Sequence, residues 1–155
     1  MSSIEESIDL DVPVRTAYNQ WTQFEDFPMF MEGVQRVQQI DDTHLHWVAE
    51  IAGVSRDWDA EITMQEPDRM ISWRSTTGPQ NAGTVVFEDL GSERTRVTLR
   101  MDYDPETFAE KAGDVLGIIR ARVAGDLRRF KQFIEERRVE TGAWRGQVRG
   151  GTTTD

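Results

Sequence analysis

The chain has 155 residues, with 28 Asp/Glu against 18 Lys/Arg and a formal net charge of -10. That length suits one domain with a core of its own, and the lack of cysteine excludes a disulfide framework and thiolate chemistry. No apolar run approaches the ~20 residues of a membrane-spanning helix, and the acidic start MSSIEESIDL lacks the basic-then-apolar build of a secretory leader, so a cytoplasmic protein is expected.

Ile4, Ile8, Leu10 and Val12 predict a first strand, with a bulge expected at Glu5-Glu6, where the apolar alternation breaks. Pro13 suits the first turn of a helix, and Val14, Ala17, Tyr18 and Trp21 follow at helical spacing. A second short helical turn is expected in FEDFPMFM, with Asp26 as its cap and Pro28 early in it. From Gly33 the period changes to two. Strands are predicted near 34–40, 43–52, 54–65, 69–76, 83–90 and 95–103. Asp41-Asp42, Ala52-Gly53, Pro67-Asp68, TGPQNAG and LGSER break them, each rich in turn formers. Segments so short and closely spaced predict an antiparallel meander.

After Pro105 the helical period returns. Ala112, Leu116, Ile119, Val123, Leu127, Phe130 and Ile134 make one apolar arc on a long helix. Gly113, Gly117 and Gly125 interrupt it, each costing ~1 kcal/mol relative to Ala. Gly117 and Gly125 fall away from the centre of the arc, so they are read as loosening the helix and not as packing sites. Charge divides with the chain: residues 1–110 hold 8 Lys/Arg and 22 Asp/Glu, whereas residues 111–149 hold 10 and 5. The acidic body argues against nucleic acid as partner. Arg128, Arg129 and Lys131 offer a basic strip for an anionic protein partner. The Gly- and Thr-rich segment 141–155, with Trp144 beside Arg145, is expected to be a flexible tail behind a single domain of residues 1–140.

The order is therefore strand, two short helices, six strands, one long helix: an α+β chain whose seven-stranded, curved antiparallel sheet must cover its apolar face with the C-terminal helix. A sheet bent around one helix leaves room for a cavity. Alternation decides what would face it. In HLHWVAEIAGVSRDWDAEITM one side collects Leu45, Trp47, Ala49 and Ile51, then Trp58, Ala60, Ile62 and Met64. Trp73, Phe87, Leu99, Met101 and Tyr103 continue that face. These residues either fill a core or wall a pocket that is mostly apolar with a few placed polar groups. Arg56, Ser75 and Tyr103 share the inner phase and are the only candidates for such polar or catalytic groups. Phe27, Phe30 and Met31 either plug the end of the core or form a rim where an apolar ligand enters. His44 and His46 point to the outer face with Glu50 and have no third ligand nearby in sequence, so neither a metal nor another cofactor is expected.

The stretches DVPVRTAYNQWTQFEDFPMFM, VQRVQQIDDTHLHWVAEIAG, RDWDAEITMQEPDRMISWRS, GTVVFEDL, TRVTLRMDY and DLRRFKQFIEERRVETGAWRG, in that order, resemble the Bet v 1-like, or START-like, helix-grip superfamily. Within it the chain looks closest to the bacterial polyketide cyclase/dehydrase and lipid-transport group (SRPBCC), which includes coenzyme Q-binding members. The resemblance spans roughly residues 2–140 and implies an internal apolar cavity gripped between sheet and helix. On the helix, Leu116, Ile119 and Val123 would face it. Members carry lipids, quinones and hormones or cyclise polyketides. The expected function is binding or transport of a hydrophobic small molecule (lipid, quinone or polyketide-like) without catalysis. A polyketide aromatase/cyclase, and a protein-interaction module using the basic helix or the Trp144 tail, are the alternatives.

Overall fold

The structure, a computed structural model, describes residues 2–51, 53–104 and 115–154. Its elements are β1 (Ser2–Leu10), α1 (Val14–Trp21), a 3-10 turn (Phe24–Met29), β2 (Val34–Gln39), β3 (His44–Ile51), β4 (Val54–Glu66), β5 (Met70–Ser75), β6 (Asn81–Gly91), β7 (Arg94–Tyr103), α2 (described from Val115 to Arg137), β8 (Gln147–Arg149) and β9 (Thr152–Thr154). The main sheet runs β1-β7-β6-β5-β4-β3-β2, each neighbour antiparallel. This is the expected seven-stranded α+β arrangement, with the long helix against the sheet.

Register departs from expectation in detail. β1 pairs with β7 without interruption from Ser2↔Tyr103 to Leu10↔Thr95, so there is no bulge at Glu5-Glu6. Ile4, Ile8 and Leu10 are separated by even steps and already share one face; half-buried Glu6 takes the same phase. Bulges fall instead in β2 between Val34 and Arg36, in β4 between Ile62 and Met64, and in β6 between Asp89 and Gly91. An extra residue reverses the inward phase beyond it. Gln65 is therefore buried, while Met64, expected inward, is half-exposed. Asp26, expected to cap the 3-10 turn, lies inside it, and its carboxylate receives the Thr141 hydroxyl at 2.5 Å.

The segment read as a flexible tail is paired. β4 has 13 residues, but β3 covers only Val54 to Glu61. The remaining edge would expose unpaired backbone groups. β8 takes it, matching Met64 and Gln65 with Arg149 and Val148, and β9 completes a nine-stranded sheet. Val148 is fully buried there. The approach to β8 straps α1. Thr141 N donates to Gln20 Oε1 (2.9 Å), Trp144 N to Thr22 Oγ1 (3.1 Å) and Arg145 Nη1 to Asn19 Oδ1 (2.6 Å). Arg145 also pairs with Asp68 at 2.9 Å, and its guanidinium lies 5.5 Å from the centre of the Tyr18 ring.

α2 seats its C-terminal half on β1 and α1. Lys131 Nζ donates to Asp9 O (2.9 Å) and Glu135 Oε2 (2.6 Å), and Glu135 receives Asp11 N at 2.8 Å. The helix ends with Arg138 at φ 63°, whose N–H returns to Ile134 O. Beneath this half the core is solid and aromatic. Phe130 lies 4.9 Å from Trp21 and 5.1 Å from Phe30, in edge-on geometry. Gly125, read as a loosening site, is buried because Arg129 folds over it. A Cβ there would stand 3.0 Å from Arg129 Nη1.

Candidate functional site

The other half of the inner face is not filled. Trp47 and Trp58 are a cross-strand pair with rings 6.1 Å apart and 8° from parallel; Trp73 lies 6.2 Å from Trp47 at 21°. All three are buried. Small Ala49 and Ala60 are buried on the same inner face. Trp73 stands opposite Gly83 of β6. A Cβ on Gly83 would meet Trp73 Cζ2 at 2.4 Å and Met101 Sδ at 3.1 Å. Glycine inside a strand weakens it; here it lets the indole lie across the neighbouring strand.

Over this wall lies a cavity of about 130 Å³. Of the residues expected to face a ligand, Trp47, Trp58, Trp73, Leu99, Met101, Tyr103, Met31, Ile119 and Val123 line it. Phe27, Phe30 and Phe87 do not. They belong to the solid end of the core, Phe27 5.6 Å from Trp21 and Phe87 5.4 Å from Tyr18, so Phe27 and Phe30 act as plug and not as rim. Leu116, like Ala112 and Gly113, lies outside the residues whose side chains the structure describes. The Nε1 atoms of Trp21 and Trp47 are buried and have no hydrogen-bond partner among the described residues. Trp21 also lines the cavity.

The three polar candidates do not converge. Tyr103 borders the cavity, whereas Ser75 borders an outer groove with Thr76, Thr77 and Gly78, and its hydroxyl accepts from Asn81 N at 3.1 Å. Arg56 is in phase with Trp58 yet does not line the cavity. The polar residues that do border it are Asn81, Glu50, Arg122 and Asp126. Sequence reasoning missed them, although Arg122 and Asp126 sit three residues beyond Ile119 and Val123, the spacing of one helix face. Asp126 Oδ1 receives Arg129 Nη2 at 2.5 Å and the Glu32 N–H at 3.1 Å. Burial dominates these contacts and holds its carboxyl above the ordinary carboxylate range. Burial likewise pushes the Tyr18 hydroxyl, in the solid core, up to about 12.

His44 and His46 face outward, as the alternation indicated. His44 Nδ1 lies 2.8 Å from Asp41; His46 Nδ1 lies 2.7 Å from Asp59 and its Nε2 3.5 Å from Asp57. Among the described residues no group of three or more His, Asp or Glu is placed to hold a metal. No described helix is long and apolar enough to cross a membrane.

An open antiparallel sheet closed by a long C-terminal helix, with an aromatic-walled hollow between them, defines a helix-grip fold. The chain belongs to the family described as polyketide cyclase / dehydrase and lipid transport, whose model matches residues 10–132. It is 53% identical over 149 residues, 96% of this chain and 99% of the relative, to an uncharacterized 17.2 kDa protein in the melC2-rnhH intergenic region of Streptomyces lincolnensis. Among solved structures it is similar to the Zhui aromatase/cyclase of Streptomyces sp. R1128, with TM-score 0.74, 15% identity and coverage of 92% of this chain and 99% of that one. A START superfamily protein of Mycobacterium smegmatis matches with TM-score 0.68 and 12% identity, over 87% of this chain and 95% of that one. At such identities the likeness is one of fold.

Proposed function

We propose that the protein binds a hydrophobic small molecule, lipid-, quinone- or polyketide-like, between the sheet and α2, as a binder or carrier and not as a catalyst. The observation that supports this best is the near-parallel set of Trp47, Trp58 and Trp73 beside an unfilled volume. An apolar cavity of about 150 Å³ admits a benzene molecule. The 130 Å³ here therefore suits one aromatic or quinonoid ring, with the rest of a larger ligand leaving through the mouth. Flat rings stacked on indoles gain contact area and quench indole emission. Titration with 1,4-naphthoquinone tests the reading: saturable quenching of tryptophan fluorescence is expected, and its absence at the solubility limit contradicts it.

A second reading, a polyketide aromatase/cyclase, draws on the likeness to the Zhui aromatase/cyclase. Such chemistry asks for a pocket that folds the chain and groups that move protons. Tyr103 and Asp126 border the cavity and are its candidates, in place of the dispersed set with Arg56 and Ser75. The interaction-module reading has less support. Arg129 and Lys131 are tied to Phe30, Asp126, Asp9 and Glu135, and Trp144 packs on the chain's own core.

A further inference from the structure

Gly33, Glu50, Arg122 and Asp126 gather where α2 passes the start of β2 and the end of β3. Two arginines of α2 reach this place and behave differently. Arg129 is fully engaged: its Nε donates to Phe30 O at 3.0 Å, and its terminal nitrogens pair with Asp126 (2.5 Å) and Glu32 (3.4 Å). Arg122 is half-buried and lines the cavity. Among the described residues it makes no hydrogen bond or salt bridge; it attracts the adjacent carboxylate of Asp126, whose oxygen is held by Arg129 and the Glu32 N–H.

The backbone makes room for this guanidinium. Gly33 does not adopt a left-handed φ, so its conformation is open to any residue. A Cβ there would stand 2.1 Å from Arg122 Nη1 and 3.0 Å from Glu50 O. A side chain at 33 would oblige the flexible end of Arg122 to move, and glycine leaves the guanidinium where it is. Glu32 and Glu50 are exposed and screened by water. A guanidinium without hydrogen-bond acceptors offers five donors in a planar fork that suits two oxygens at once.

We propose that Arg122 is the polar contact of the cavity, and that its ligand is an amphiphile with a flat apolar body on the indole wall and a carboxylate or enolate oxygen at the guanidinium. This rests on the ligand-binding reading above and names the chemical class it takes. The direction of entry follows: apolar end first, with the anionic end held at the mouth beside Gly33.

The test compares 2-naphthoate with 2-naphthamide, nearly equal in shape and different in charge, by calorimetry and tryptophan quenching on the full chain. Wild type should prefer naphthoate by roughly tenfold or more, the worth of a charge-assisted hydrogen bond. Arg122→Gln should narrow the gap to under twofold by loss on the naphthoate side. Arg122→Lys should retain part of the preference, as a point charge without the fork. Circular dichroism melts of each variant establish that it is folded. Equal binding of the two probes by wild type, or equal weakening of both in Arg122→Gln, overturns the proposal. If neither probe binds wild type, the cavity reading itself fails and takes this one with it.

Discussion

Replacing Gly83 by alanine sets a methyl carbon 2.4 Å from Trp73 Cζ2, 2.6 Å from Cε2 and 3.1 Å from Met101 Sδ. Carbon atoms in contact prefer about 3.5–4.0 Å, so the indole has to retreat by roughly 1 Å. β6 lies on one side of it and Trp47 stands 6.2 Å away in the stack. The open direction is the 130 Å³ cavity. Overpacking costs about 1–3 kcal/mol in a filled core, and the void puts this case at the lower end. Removing a glycine restrains the unfolded chain and returns about 0.4–1 kcal/mol. Stability should therefore change by less than about 1 kcal/mol. Binding should not be spared. If the tilted ring displaces about 60 Å² of ligand contact, then at ~25 cal/mol per Å² the loss is about 1.5 kcal/mol, roughly tenfold in Kd. Urea denaturation and 1,4-naphthoquinone titration of the same preparations measure the two quantities. Unchanged affinity, or a stability loss above about 3 kcal/mol, would refute the reasoning: the first would mean that Trp73 does not border the bound ring, the second that no free volume exists to receive it.

Val148→Ala should destabilise the protein by about 2 kcal/mol, because the side chain is fully buried beside the extended half of β4; a urea midpoint equal to wild type would mean that β8 is not docked in solution. Asp126 gives a pH signature. Its folded carboxyl titrates above the ordinary value near 3.9, so the folded state binds the proton more tightly than the unfolded chain. The associated stability is fully present below about pH 3.9 and is lost as pH rises through the folded pKa. Asp126→Asn lacks that loss, so its stability relative to wild type should rise across this window in urea denaturation between pH 3 and pH 7. A difference that stays constant with pH would refute the assignment.

Much of the fold was legible because strands and turns carry local signals. Period-two runs broken by Asp41-Asp42, Pro67-Asp68 and the glycine loops placed the main strands within a few residues, and alternation put Trp47, Trp58 and Trp73 on the inner face. Alternation reports facing but not depth. Phe87 shares its face with the tryptophans, yet it packs on Tyr18 where the helices close down, while Trp73 borders a void. Bulges are equally hidden: nothing in the run from Ile62 to Gln65 announces the extra residue that turns Gln65 inward. Val148 is a lone apolar residue in a polar tail, and its partner edge becomes visible only once β4 is known to outrun β3. Arg122 and Asp126 had the right spacing beside Ile119 and Val123, but charged residues flanking an apolar arc are ordinarily solvated, and it is the cavity lining that sets these two apart.

Diffraction from crystals of the protein held under xenon would probe the hollow itself, since xenon enters dry apolar cavities of this size. The account predicts a xenon peak between the Trp47 and Trp73 rings and the Ile119–Val123 turn of α2. Interlocked side chains at that place, with no xenon bound at any pressure, would contradict it.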